Sequence, residues 1–202
     1  MSDRSREWYD KVMVEEGSPA MLPLEESPWL PLYTEVAQLI RPEEEVVDLG
    51  CGTGRFIKLL QERDHYAQIT GIDWSDTALD VAQRYCATGQ RHYESVPAEW
   101  VNVNLDEWEP SGVRAGNTVY VCTEVLEHMA ADDELVERIP PGHRFIFSVP
   151  NYHSESHIRT FTEVSDAWER YGDLLRFRRW IMIGSERRAV HVYEARRRGD
   201  SW

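Results

Sequence analysis

The 202-residue chain predicts an α/β protein: a mostly parallel sheet with helices on both faces and an antiparallel β-hairpin near its C-terminal end. Three observations lead there. Apolar strand patterns alternate with helical ones from residue 45 onward. The first strand runs straight into a glycine turn and a helix start, Glu45-Val46-Val47-Asp48-Leu49-Gly50-Cys51-Gly52-Thr53-Gly54. Two β-rich runs, Phe177–Ile183 and Ala189–Ala195, flank Gly184-Ser185-Glu186 as a hairpin does.

Taken in order, Trp8, Tyr9, Val12 and Met13 fall at helical spacing within residues 1–17. Residues 18–31 hold Pro19, Pro23, Pro28 and Pro31; proline lacks the amide donor, so this is an ordered loop. Leu32 to Ile40 is an amphipathic helix that Arg41-Pro42 stops. Strands follow at 45–49, 68–73, 100–104, 117–122 and 144–149, with helices at 54–63, 76–87 and 131–138 between them. Ser75 and Asp76 are candidate N-caps ahead of Ala78, Leu79, Val81 and Ala82. A further helix spans Thr162 to Tyr171. There is no internal repeat, low-complexity tract or second domain.

Apolar content is 42% and charged content 29%, the balance of a globular chain. The longest apolar runs are too short to cross a bilayer. Met1 to Glu7 is polar and lacks an apolar segment, so no secretion signal is expected. Cys51, Cys86 and Cys122 are widely spread and form no CxxC, which argues against disulfides or a zinc knuckle and for a reducing, cytoplasmic setting. Net charge is −14; residues 175–202 carry eight arginines against three acids, a net of +5, leaving −19 on the first 174. Such a body repels a polyanion, so nucleic acid is disfavoured, although an arginine-rich edge can act locally. The plain reading of those arginines is a solvated hairpin face.

A glycine turn lets backbone pass close to a ligand. Ile69-Thr70-Gly71-Ile72-Asp73, a second strand ending in an acid, supplies a grip for a ribose diol. The pair indicates an adenosine-containing cofactor. A dinucleotide fingerprint needs GxGxxG, and here the third position is Arg55. Asp48 stands two residues before the first glycine, where a carboxylate repels a pyrophosphate but accepts from a cationic amino-acid tail.

VVDLGCGTG, GID and VCTEVLEHM together resemble the class I S-adenosylmethionine-dependent methyltransferases, over residues 30–196. The resemblance implies a Rossmann-like, seven-stranded sheet and one methyltransferase domain, with residues 1–41 a lid or acceptor-side region and 42–202 the cofactor-binding core. It implies that Asp48, Gly50, Cys51, Gly52 and Gly54 surround the methionine part and that Asp73 binds the ribose. It places Trp74 on adenine, Asn104 and Leu105 at the adenine edge with Asp106 as a nearby alternative, and Thr123 among the cofactor contacts.

Glu124-Val125-Leu126-Glu127-His128 follows the fourth strand, at the sheet edge where open α/β folds hold ligands. If the segment turns helically, Glu124, Glu127 and His128 share one face. Two carboxylates and an imidazole can hold a divalent metal or supply a general base. The segment resembles those of ubiquinone-type O-methyltransferases and of small-RNA 2′-O-methyltransferases; the latter bind a metal through two glutamates, this histidine and a further one downstream. His157, in SHIRTFT, matches that context better than His153. The stretch from Pro150 to Thr162 is shorter than in the quinone-type enzymes. His65, His92, His143 and His191 read as surface or core residues. Arg159 reads either as a contact to an anionic acceptor or as a partner of Glu155 or Glu163. Trp8, Tyr9, Trp29 and Tyr33 are candidate lid aromatics or simple core packing.

The expected function is methyl transfer from S-adenosylmethionine to a small-molecule acceptor, at oxygen, by in-line displacement. The catalytic candidates are His128, Glu124 and Glu127; the candidate metal ligands are Glu124, Glu127, His128 and His157. A metal-assisted RNA or DNA methyltransferase is the alternative, and a non-catalytic cofactor-binding partner protein is a third. No membrane contact is expected.

Overall fold

The computed structural model of the chain describes residues 6–15, 17–63, 66–88, 96–110 and 117–199. His65 and His92 lie outside the described residues. The sheet is seven-stranded and mostly parallel, and it ends in an antiparallel hairpin. The chain divides into two compact units, Met1–Leu105 and Asp106–Trp202.

In the first unit, α1 (Arg6–Val14) is followed by two short 3-10 turns in the proline-rich loop and by α2 (Leu30–Leu39). β1 (Glu45–Leu49), α3 (Arg55–Gln61), β2 (Gln68–Asp73), α4 (Asp76–Ala87) and β3 (Ala98–Asn102) complete it. The three strands pair in parallel, with β2 between β1 and β3. Val46, Leu49, Ile69 and Ile72 are buried on these strands, as are Phe56, Ile57 and Leu60 of α3 and Leu79 and Ala82 of α4. Covered parallel strands need this near-continuous apolar character. α4 starts where its N-cap chemistry predicts: the Ser75 hydroxyl accepts from Ala78 N at 3.0 Å. β3 runs two residues earlier than the expected 100–104. Its outer positions are exposed, so edge-strand patterning marks its bounds weakly.

The second unit holds β4 (Thr118–Thr123), a 3-10 turn at Leu126–His128, α5 (Asp132–Arg138), β5 (Arg144–Pro150), α6 (Val164–Tyr171), β6 (Leu175–Ser185) and β7 (Arg188–Arg197). β4 and β5 pair in parallel; β7 runs antiparallel to both β5 and β6. Every residue of β5 is buried. Phe145, Phe147 and Tyr193 stack in sequence at centroid distances of 4.9 and 5.0 Å. α6 opens with a capping box between Glu163 and Asp166. The hairpin turn is Glu186-Arg187, since Ser185 pairs with Arg188; the expected turn at Gly184–Glu186 is displaced by the longer strands. His143 and His191 are buried and bonded locally, to Pro140 O and to Trp180 Nε1. Among the described residues no helix is long and apolar enough to cross a membrane.

Gly54 combines a left-handed φ of 79° with a tight approach to α4. A Cβ there would lie 2.8 Å from Ala82 Cβ and 3.1 Å from its Cα. Gly54→Ala is expected to cost about 3 kcal/mol through both effects. Urea unfolding would show it as a lower midpoint with an unchanged m-value.

Candidate functional site

Three glycines of the β1–α3 turn have positive φ: Gly50 at 80°, Gly52 at 52° and Gly54 at 79°. The turn is locked to the end of β2. Gly50 N and Cys51 N both donate to Ile72 O, at 2.8 and 2.9 Å. Asp73 completes the lock: Oδ2 accepts from Gly52 N and Oδ1 from Ser75 N, each at 2.9 Å. One carboxylate thus holds the glycine turn and the start of α4 together, with both oxygens fixed in place.

Asp48 is buried on β1 beside it. Burial pushes its carboxyl up to about 8, with the Asp73 charge adding to the rise. Burial also raises Asp73, against three backbone amides that favour its charged form. Cys51 is buried, and burial holds its thiol well above the ordinary range.

Arg55, which replaces the third glycine of a dinucleotide fingerprint, is itself buried. It donates to Leu22 O at 3.0 Å and to Thr53 O at 2.8 Å, and stacks 4.2 Å from the Tyr85 ring. Thr53 Oγ1 donates to Ala20 O and Leu24 N donates to the Tyr85 hydroxyl. The proline-rich loop is therefore bound to the glycine turn, an arrangement that no local sequence signal marks.

Trp74, half-buried, meets Tyr9 edge-on at 5.5 Å. Asp10 of α1 accepts from the Ser75 hydroxyl, and Met13 Cε lies 2.7 Å from where a Cβ of Gly52 would stand. Of the candidate lid aromatics, Trp8 packs on Tyr9 and Tyr33 packs on Phe56 of α3, while Trp29 caps α2. Asn104 and Leu105 lie beyond the end of β3, after Val103, whose N donates to Asp73 O at 3.1 Å. Asn102, which the sequence did not single out, stands in register with Asp73 and donates to Asp73 O and Trp74 O. Only the strand pairing reveals it.

In the second unit, Thr123 ends β4 half-buried. Glu124 has φ 57°, and residues 126–128 form a 3-10 turn. The expected helical face over 124–128 is therefore corrected: the chain leaves the strand through a left-handed residue. Glu124 N donates to Ser148 Oγ, and the Ser148 hydroxyl donates to Glu124 Oε1, both at 3.0 Å. Glu127 and His128 instead converge with His157, their ligating atoms within 4.8 Å of one another. Glu124 is not part of that group. The two imidazoles meet edge-on at 4.9 Å. His128 Nδ1 donates to Ser156 O at 2.9 Å and His157 Nδ1 to Tyr152 O at 3.1 Å, which fixes Nε2 as the basic nitrogen of each ring. His128 Nε2 lies 3.7 Å from Glu127 Oε1.

Glu127 is fully buried, with no hydrogen bond to either carboxylate oxygen. Burial and then the Glu124 charge hold its carboxyl well above the ordinary range. Burial raises Glu124 to about 7, opposed by the Ser148 hydroxyl. His157 is lowered to about 4 by burial, with the His128 charge next. Tyr152, not singled out by the sequence, lies under the Arg188 guanidinium at 4.1 Å. Glu124 and Glu127 both raise its phenol, after burial. His153 is exposed. Arg159 pairs with Asp132.

Residues 25–196 match a family model described as a methyltransferase domain. The chain belongs to the class I S-adenosylmethionine-dependent methyltransferase family. Trans-aconitate 2-methyltransferase of Streptomyces coelicolor is 30% identical over 155 residues, 74% of this chain and 50% of that protein. Ubiquinone biosynthesis O-methyltransferase of Coxiella burnetii is 25% identical over 129 residues, 61% of this chain and 50% of that one. This methyltransferase chain thus spans about half the length of the curated relatives it matches. Among solved structures, the N-methyltransferase NodS of Bradyrhizobium japonicum, in complex with S-adenosyl-L-homocysteine, has a TM-score of 0.69 at 15% identity. The match covers 95% of this chain and 97% of that one. That likeness is one of fold.

The raised Asp48 has opposite consequences for stability and binding. The folded chain keeps this proton up to about pH 8, whereas the unfolded chain releases it near 3.8, so stability falls as pH rises through that window. Asp48→Asn is expected to raise the ligand-free melting temperature at pH 8 by on the order of 5 °C. On the sequence expectation that Asp48 accepts from the cofactor's cationic tail, it is also expected to weaken S-adenosylhomocysteine binding at least about tenfold. Scanning calorimetry and titration calorimetry read the two effects.

Proposed function

We propose that the chain binds S-adenosylmethionine through residues of its first unit and transfers the methyl group to oxygen of a small-molecule acceptor. The observation that carries the cofactor reading is the Asp73 carboxylate, fixed at the end of β2 by two backbone amides beside a left-handed glycine turn. A rigid acceptor pair of this kind suits the two hydroxyls of a ribose. Asp48 takes the cofactor's ammonium. Gly50, Cys51, Gly52 and Gly54 offer backbone to its methionine part; Trp74, Asn104 and Leu105 serve the adenine. The relatives favour a small acceptor: one is named for trans-aconitate, the other for O-methylation in ubiquinone biosynthesis.

The bound cofactor supplies an electrophilic methyl group on a sulfonium, so the chain's own task is orientation and removal of one proton. His128 is the base. Its Nδ1–H is committed to Ser156 O, which leaves Nε2 to accept the acceptor's proton. Glu127, 3.7 Å away, stabilises the imidazolium that forms. His157 and Glu124 shape the same surroundings. The chain acts as a single methyltransferase domain in a cytoplasmic setting.

One observation favours a metal-assisted variant. The Glu127 carboxylate is buried without hydrogen bonds, and it lies with His128 and His157 in a three-ligand grouping that fits a divalent ion. Such an ion would lower the pKa of an acceptor hydroxyl. Nucleic acid as acceptor belongs to this variant.

Titration calorimetry is expected to show S-adenosylmethionine binding and no NAD binding; the reverse result sinks the reading. In a labelled-cofactor screen of small carboxylic acids and phenols, His128→Ala is expected to lower kcat about 100-fold or more with cofactor affinity unchanged. Equal activity in chelator removes the metal variant, and salt-sensitive binding to short RNA would move the acceptor from small molecule to nucleic acid.

A further inference from the structure

We infer that Arg159, anchored on the buried carboxylate of Asp132, is the positioning residue that sets the His157 imidazole against His128 and Glu127. The inference rests on the reading that this cluster serves the acceptor.

Glu127 and His128 sit in a 3-10 turn, whereas His157 sits in the irregular stretch between β5 and α6. Neither segment has a ladder to fix it on the other. Two backbone hydrogen bonds and one from a side chain join them: Ile158 N and Arg159 N both donate to Glu127 O, at 2.9 and 3.4 Å, and His128 Nδ1 donates to Ser156 O. The Arg159 side chain adds the rest. Its Nη1 donates to Met129 O at 2.8 Å and Leu126 O at 3.4 Å, and its Nη2 to Ala130 O at 3.3 Å. These carbonyls belong to the first residue of the turn and to the two residues that follow it. A planar guanidinium with five donors can serve three carbonyls and a carboxylate together; an ammonium with three cannot.

The anchor is firm because Asp132 belongs to a helix. Its carboxylate is fully buried and accepts from Arg170 and from the Tyr171 hydroxyl, both on α6, as well as pairing with Arg159. α5 and α6 therefore fix one carboxylate, the carboxylate fixes a guanidinium, and the guanidinium fixes the turn that carries Glu127 and His128 against the segment that carries His157. Arg159 thus has structural partners for both terminal nitrogens, in backbone carbonyls and in Asp132.

The test uses the full chain with S-adenosylhomocysteine bound. The readout is the nuclear Overhauser contact between the His128 and His157 ring protons, which the 4.9 Å ring separation makes observable. Arg159→Ala and the milder Arg159→Lys are both expected to lose this contact. S-adenosylhomocysteine affinity should stay within about twofold of the parent, as for independent sites. Millimolar guanidinium is expected to restore the contact in Arg159→Ala. Persistence of the contact in both variants overturns the inference. So does its loss without guanidinium rescue and with weakened cofactor binding, which would mark general structural damage. The readout needs no acceptor. If His128→Ala keeps full methyl transfer while the contact depends on Arg159, the functional reading fails and the positioning role stands.

Discussion

A parallel strand that stops inside a protein leaves its final amides and carbonyls without ladder partners, and the loop that departs must satisfy them locally. This chain meets the constraint twice with one device. At the ends of β1 and β2, Asp73 accepts from Gly52 N and Ser75 N while Ile72 O accepts from Gly50 N and Cys51 N. At the ends of β4 and β5, Ser148 accepts from Glu124 N and returns its proton to the Glu124 carboxylate. In each case a short polar side chain on one strand ties down the loop that leaves its neighbour. These same loops carry the candidate cofactor and acceptor residues, so backbone satisfaction and site geometry are one requirement.

The device concentrates acid in buried places. Asp48, Asp73, Glu124 and Glu127 all have carboxyls raised first by burial. Buried carboxyls without cationic partners oppose folding at neutral pH. Elsewhere the chain avoids the problem: Glu194 is paired with Arg144 at 2.9 Å, and Asp132 with two arginines. The raised acids at the candidate site have amide, hydroxyl or imidazole neighbours and, among the described residues, no arginine or lysine, unlike the acids of the scaffold.

Legibility in the sequence followed the range of the interaction. Strand β1, its glycine turn and strand β2 were readable because apolar run, glycine and acid are local signals. Helix α4 was readable to its N-cap because Ser75 acts on Ala78, three residues away. The spacing of Glu124, Glu127 and His128 would share a face only in a helix, and the chain instead leaves β4 through the left-handed Glu124, whose N donates to Ser148. Arg55 could be seen as a departure from the dinucleotide pattern, but its task lies 33 residues away at Leu22. Asn102 became visible only through its register with Asp73. β3, an exposed edge strand, starts two residues before its expected bound because it lacks a buried alternation.

Arg159 shows what this limit means for function. From sequence its neighbours are Glu155 and Glu163, and exposed pairs so close in sequence contribute little. Its real partner, Asp132, is 27 positions away and fully buried. A buried ion pair is a poor source of net stability, since desolvation offsets most of the attraction. What it supplies is geometry: a buried carboxylate held by Arg170 and Tyr171 gives Arg159 one fixed place to bind, so alternative placements of the 151–162 stretch are disfavoured. An irregular loop can present an imidazole at a fixed distance only if something rigid holds it, and here that is a carboxylate carried by a helix. The Glu127, His128 and His157 grouping is therefore a product of the scaffold's charges as much as of the residues that form it.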